Sequence, residues 1–113
     1  MFQHIGQVKR SKYGAVPTRV DGLRFASRAE AEHYARLKLL ANPATECRDR
    51  VRFFCLQPVF VLAEGITYRP DFLVVYADGR VEINDVKGFL TPAYRIKKKL
   101  MAARGLTIVE ITQ

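Results

Sequence analysis

Tyr68-Arg69-Pro70-Asp71-Phe72-Leu73-Val74-Val75-Tyr76, continued through Ala77-Asp78-Gly79-Arg80 into Val81-Glu82-Ile83-Asn84-Asp85-Val86-Lys87-Gly88, is the stretch that decides the fold. Apolar and β-branched residues fill both arms, with Asp-Gly between them. The stretch therefore reads as two antiparallel strands joined by a tight turn. Asp71, Asp85 and Lys87 are out of place in such arms. Strand side chains alternate faces, so Asp85 and Lys87 share one side. The side taken by Asp71 depends on the loop. A two-residue loop, Asp78-Gly79, pairs Ala77 with Arg80 and separates the aspartates onto opposite faces. A three-residue loop, Ala77-Asp78-Gly79, pairs Tyr76 with Arg80 and sets Asp71 opposite Asp85, with Gly79 in the left-handed position that glycine suits. Both loops fit the sequence; we expect the second.

Two carboxylates and an ammonium on one face have a chemical meaning. The carboxylates repel and favour a cation between them. Hard oxygen ligands suit Mg²⁺ or Mn²⁺, which keep waters and also bind phosphate. A lysine one strand step away is a point charge able to orient water or offset a developing anion. The structural alternative is a surface hairpin with a solvated ion pair.

Pro70-Asp71 followed by Asp85-Val86-Lys87 has the spacing of the PD-(D/E)XK nuclease signature, and the chain resembles that superfamily. Lys12-Tyr13-Gly14, Asp21-Gly22, Phe25-Ala26-Ser27, Glu30, Gln57-Pro58, Asp85-Val86-Lys87-Gly88 and Tyr94 with Lys97-Lys98 extend the likeness. Taken in order, they look like a small phage and prophage family of the superfamily, often labelled endonuclease or Holliday-junction resolvase. The likeness runs from about Lys9 to the end of the chain. It implies a restriction-endonuclease-like core and Mg²⁺-dependent (or Mn²⁺-dependent) phosphodiester cleavage in the cytoplasm of a bacterial host. It implies Asp71, Asp85 and Glu30 as metal ligands with the Val86 carbonyl, and Lys87 as a catalytic residue. The implied partner is DNA, branched or nicked. A resolvase cutting symmetric strands would be a homodimer.

Composition agrees with a polyanionic partner. The chain has 113 residues, suited to one domain, and a formal net charge of +8. Its hydrophobic content of 49% argues against disorder. No segment has the length and apolarity of a bilayer span or a signal-peptide core. Cys47 and Cys55 lack metal-like spacing and read as reduced thiols. Residues 1–14 read as a basic arm in which Lys9, Arg10 and Lys12 meet phosphates and Tyr13 stacks on a base; a frayed terminus is the alternative. Residues 15–113 are expected to form a single domain, the nuclease domain that the resemblance implies.

The remaining elements follow in order. Val16 to Phe25 reads as a small hairpin turning at Asp21-Gly22. Ser27 caps a helix ending before Asn42-Pro43, with Ala26, Glu30, Tyr34, Leu37 and Ala41 on one stripe. Glu30 therefore faces inward, either completing the metal site or closing a capping box with Ser27. His33 reads as a packing or surface polar group. Phe53 to Leu62 reads as one strand, at an edge or bent at Pro58. Gln57 beside that break either contacts nucleic acid or shapes the turn. In the central hairpin, Leu73, Val75, Val81 and Ile83 share the Asp71 face and are expected under helices. The opposite face carries Tyr68, Phe72, Val74, Tyr76 and Glu82, which excludes Glu82 as a ligand. Thr91-Pro92 opens a second helix ended by Gly105, with an expected apolar stripe of Ala93, Ile96, Leu100 and Ala103. Tyr94, Lys97 and Lys98 on its exposed flanks are candidates for phosphate contact. Leu106 to Ile111 reads as an interior strand. The expected order is hairpin-α-β-β-β-α-β, an α/β (α+β) mixed sheet with helices packed on it. Two rivals remain: a catalytically silent nucleic-acid-binding module with this fold, and a phage assembly or host-interaction protein.

Overall fold

The computed structural model describes residues 16–86 and 90–112. The fold is mixed α+β. A hairpin of β1 (Thr18–Val20) and β2 (Leu23–Phe25) precedes helix α1 (Arg28–Leu40). Strands β3 (Val51–Leu56), β4 (Phe60–Ala63), β5 (Ile66–Tyr68), β6 (Phe72–Tyr76) and β7 (Val81–Val86) follow, then helix α2 (Pro92–Ala103) and strand β8 (Ile108–Ile111). The main sheet has four strands in the order β3-β6-β7-β8. Its first two pairings are antiparallel, and β7–β8 is parallel.

The central loop is the three-residue one. Tyr76 N–H donates to the Arg80 carbonyl at 2.9 Å, and Gly79 N–H donates to the Tyr76 carbonyl at 3.0 Å. Gly79 has φ of 94°, a region that a β-carbon disfavours. The register then runs Val75–Val81, Val74–Glu82, Leu73–Ile83 and Phe72–Asn84.

Two expectations are corrected around the break at Pro58. Phe53 to Leu62 is not one strand: β3 joins the main sheet, while β4 leaves it to pair with β5. Gln57 takes a left-handed backbone (φ 46°) and Pro58 has no N–H to donate, so the ladder cannot run through them. Leu106 to Ile111 is not interior either, because β8 lies at an edge of the described sheet.

Each face of the sheet has its own core. On one side α1 covers Phe72, Val74 and Tyr76, with Phe25, Tyr34, Leu37 and Val51 completing the cluster. Helices were expected over the Asp71 face, and α1 lies over the opposite one. The helix takes it because Ala29 and Ala31 allow close approach, while the hairpin contributes Phe25. On the other side α2 and the β4–β5 hairpin bury Ile83, Ile108, Leu62 and Tyr68. That cover is partial, so Val81 remains 45% exposed although it was expected under a helix.

Helix α2 also sits in a different rotation from the expected one. Tyr94 and Met101 are buried, whereas Ile96 is exposed, as are Ala93 and Ala103. The larger side chains bring more area out of water than the small residues of the expected stripe. The Tyr94 hydroxyl also finds an acceptor in Glu110.

These two faces set a stability contrast. Phe72 is fully buried, so Phe72→Ala should cost roughly 3–5 kcal/mol in urea unfolding. Val81→Ala should stay within about 1 kcal/mol. Equal losses would contradict the assignment of the deep core to the α1 face.

Candidate functional site

One register step beyond Phe72–Asn84, Asp71 comes opposite Asp85, near enough for the Asp85 charge to raise the Asp71 carboxyl. Backbone and side-chain donors fix each of them. Val86 N–H donates to Asp71 Oδ2 at 2.8 Å. The Asp71 carbonyl accepts the Gln57 N–H at 2.9 Å, tying the start of β6 to the end of β3. The Tyr68 hydroxyl donates to Asp85 Oδ2 at 2.6 Å. Burial, reinforced by that bond, pushes the Tyr68 proton's pKa far above its ordinary value, so Tyr68 remains a donor.

The pair is electrostatically loaded. Burial pushes Asp71 up to about 8, with the Val86 amide opposing and the Glu30 and Asp85 charges adding to the rise. Glu30 reaches the same neighbourhood from α1. Burial also raises its carboxyl, hydrogen bonds from the Ala26 amide and the Ser27 hydroxyl hold it down, and the Asp85 charge adds to the rise. Ser27 Oγ in turn accepts the Glu30 N–H at 3.1 Å. Helix capping and proximity to the aspartates therefore occur together in one side chain, although the sequence presented them as alternatives.

A fourth acid lies further along. Parallel pairing sets Asp85 beside Glu110 on β8. Glu110 Oε2 accepts the Tyr94 hydroxyl at 2.8 Å and Lys98 Nζ at 3.1 Å. Those partners hold the Glu110 carboxyl below the usual range, the tyrosine contributing most. The Tyr68 and Tyr94 rings lie 6.3 Å apart between the two acids.

The other sequence-picked residues divide. Lys97 lines an open cavity of about 410 Å³ with Arg69, Thr91, Tyr68 and Tyr94, next to Asp85. Tyr94 is buried against Glu110 instead of standing on the expected exposed flank, and Lys98 is engaged there too. Gln57 is exposed beside Asp71. The Val86 carbonyl belongs to the last residue of β7, one position past Asp85. Lys87, Lys9, Arg10, Lys12 and Tyr13 lie outside the described residues. Glu82 points away from the pair, accepting from Tyr76 and Asn84. His33 packs on that same far side, bonded to Asn84 at 2.8 Å and edge-on to Phe72. Cys47 and Cys55 are free and exposed.

Tyr68 and Glu110 were missed by sequence reasoning. Counting alternation back from Asp71 put Tyr68 on the opposite face. That count assumes one continuous strand, and Arg69-Pro70 interrupt it between β5 and β6. The proline itself was the available signal.

A family model described as "Protein of unknown function (DUF1064)" matches residues 10–111. The chain belongs to this family. No curated protein and no solved structure matches it. The carboxylate pair, its donors and the adjacent cavity all fall within the stretch the family model spans.

Among the described residues, no group of three or more His, Cys, Asp or Glu side chains converges as a ready ligand set. Glu30 thus feels both aspartates without closing a three-carboxylate cage with them. The donor set still fits Mg²⁺, which binds through one or two carboxylates and otherwise retains water. Asp71 and Asp85 are hard oxygen donors on facing positions of neighbouring strands, and a cation beside them would offset their repulsion. No helix among the described residues is long and apolar enough to cross a membrane.

The metal-free pair should make stability depend on pH. Asp71 is raised from 3.8 to about 8, so the folded chain holds a proton that the unfolded chain has released. This contribution is fully present below the unfolded value and is lost as pH rises through the folded one. In chelator at pH 8, Asp71→Asn should therefore be more stable than wild type by roughly 1–3 kcal/mol, less than the full shift because the site is partly open to water. The advantage should shrink toward pH 5. A variant no more stable at pH 8, by thermal unfolding, would contradict the loaded pair.

Proposed function

We propose that the protein is a metal-dependent endonuclease acting on DNA, with a restriction-endonuclease-like core of the PD-(D/E)XK kind. The observation that carries this reading is the register that brings Asp71 opposite Asp85 on neighbouring strands, each carboxylate held by its own donor. Asp71, Asp85 and the Val86 carbonyl would hold Mg²⁺ or Mn²⁺, and Glu30 would add negative potential beside them. A bound divalent ion supplies charge stabilisation at the phosphodiester and makes an attacking water more acidic.

The chain's own groups do the rest. The Val86 amide fixes one Asp71 oxygen, and the Tyr68 hydroxyl fixes one Asp85 oxygen, leaving the other of each for the ion or water. Fixing ligand orientation in this way commonly affects metal affinity or activity 10–100-fold. Lys87, two residues after Asp85, supplies the cation that orients the water or meets the developing anion. Arg69 and Lys97 line the cavity next to Tyr68 and are placed to receive a neighbouring phosphate. With a net charge of +8 the chain can engage several phosphates without reading bases. A substrate recognised by shape, branched or nicked, fits such backbone binding. A homodimer would present the site to both strands of a symmetric junction, as in phage recombination.

The test is cleavage of four-way-junction, flap, nicked and linear DNA with Mg²⁺, Mn²⁺ or chelator. Cutting should need the metal and fall to background in Asp85→Asn and Lys87→Ala. In Tyr68→Phe it should drop roughly 10–100-fold. Binding should weaken steeply with salt. DNA binding without cutting would favour the silent module. Neither binding nor cutting would favour a protein-interaction role.

A further inference from the structure

Next to Asp71, on the side away from the Arg69–Lys97 cavity, lies a smaller recess of about 200 Å³. Leu23 and Leu56 form apolar walls, Arg24 and Gln57 bring polar groups, and Glu30 and Asp71 close it toward the carboxylate pair. Both leucines are exposed large apolar side chains, at 39% and 37%. Gln57 is the unusual member. Its backbone is left-handed (φ 46°) and its N–H is committed to the Asp71 carbonyl at 2.9 Å. A non-glycine residue there carries a conformational cost that glycine would avoid. Gln57 thus lines a recess of mixed apolar and polar character in a backbone conformation that glycine would suit better.

We propose that this recess takes a single unpaired DNA base adjacent to the bond that is cut. The inference rests on the nuclease reading of the carboxylate pair and names its substrate class more narrowly. The volume is below the roughly 300–1,000 Å³ typical of sites for whole small molecules, so it suits a fragment such as one base. Leu23 and Leu56 cover the base faces, and the Gln57 amide, which both donates and accepts, meets an edge. Arg24 lies where the attached phosphate leaves the recess. A paired base cannot enter without leaving its stack, which costs least at a flap, bulge or branch point. Preference for distorted DNA thereby acquires a physical source.

The test compares a duplex carrying one unpaired 2-aminopurine with the same duplex fully paired, for wild type, Leu56→Ala and Gln57→Gly. Fluorescence in chelator reports base capture, and gels in Mg²⁺ report cutting. Wild type should prefer the unpaired DNA and change its fluorescence saturably. Each variant should lose roughly tenfold of that preference. Gln57→Gly should melt at the same temperature or higher, since glycine accepts the backbone angle. Equal binding of both DNAs by wild type, or unchanged preference in both variants, would overturn the proposal. Base capture without cutting would keep the recess and remove the nuclease reading. Cutting without discrimination would do the reverse.

Discussion

The pairing register of β6 with β7 is the constraint on which the rest depends. It is set at the loop, where Gly79 accepts a backbone angle of 94° and lets Tyr76 meet Arg80. A loop shorter by one residue would move every β7 side chain to the other face relative to β6. Val86 would then stand where Asp85 stands, and the buried Phe72, Val74 and Tyr76 row would lose its partners. One register thus serves both a packed core on the α1 side and a carboxylate pair on the α2 side. Asp49 and Asp78 bind Arg80 at 2.8 Å each and help hold the loop end of the hairpin. These pairs are solvent-exposed, so their contribution is small beside that of the buried row.

Much of this was legible in the sequence, for identifiable reasons. The Asp-Gly turn, the Ser27 cap and the Thr91-Pro92 start act through neighbours a few residues apart, and each appears as expected. The inward turn of Glu30 followed from helix periodicity alone. Long-range choices were harder to read. Nothing local in Phe60 to Tyr68 says that β4 and β5 leave the main sheet to form a separate hairpin. The rotation of α2 depended on a partner 16 residues away, Glu110, whose acceptor draws Tyr94 inward. Tyr68 was hidden by the same kind of limit, since alternation holds only while the strand is unbroken.

The two sides of β7 show how adjacent residues take unlike roles. Asn84 is fully buried and satisfied by His33 and Glu82, forming a polar tie between α1 and the sheet. Desolvation holds the His33 pKa below its ordinary value, which suits a neutral ring in that tie. Asp85, the next residue, faces Asp71 with a tyrosine hydroxyl on its second oxygen. A buried polar network with every side-chain atom paired adds rigidity behind the pair. Among the described residues no buried side-chain nitrogen or oxygen lacks a partner. The unfavourable electrostatics are thus concentrated where Asp71, Asp85 and Glu30 approach one another. This is the pattern expected of a site arranged for a ligand at some expense of stability.

The most direct measurement is anomalous diffraction from crystals of the protein soaked in Mn²⁺. One manganese peak should appear beside the carboxylates of Asp71 and Asp85 and be lost in Asp85→Asn. Manganese bound elsewhere, or an aspartate pair that keeps its proton and takes no ion at neutral pH, would contradict it.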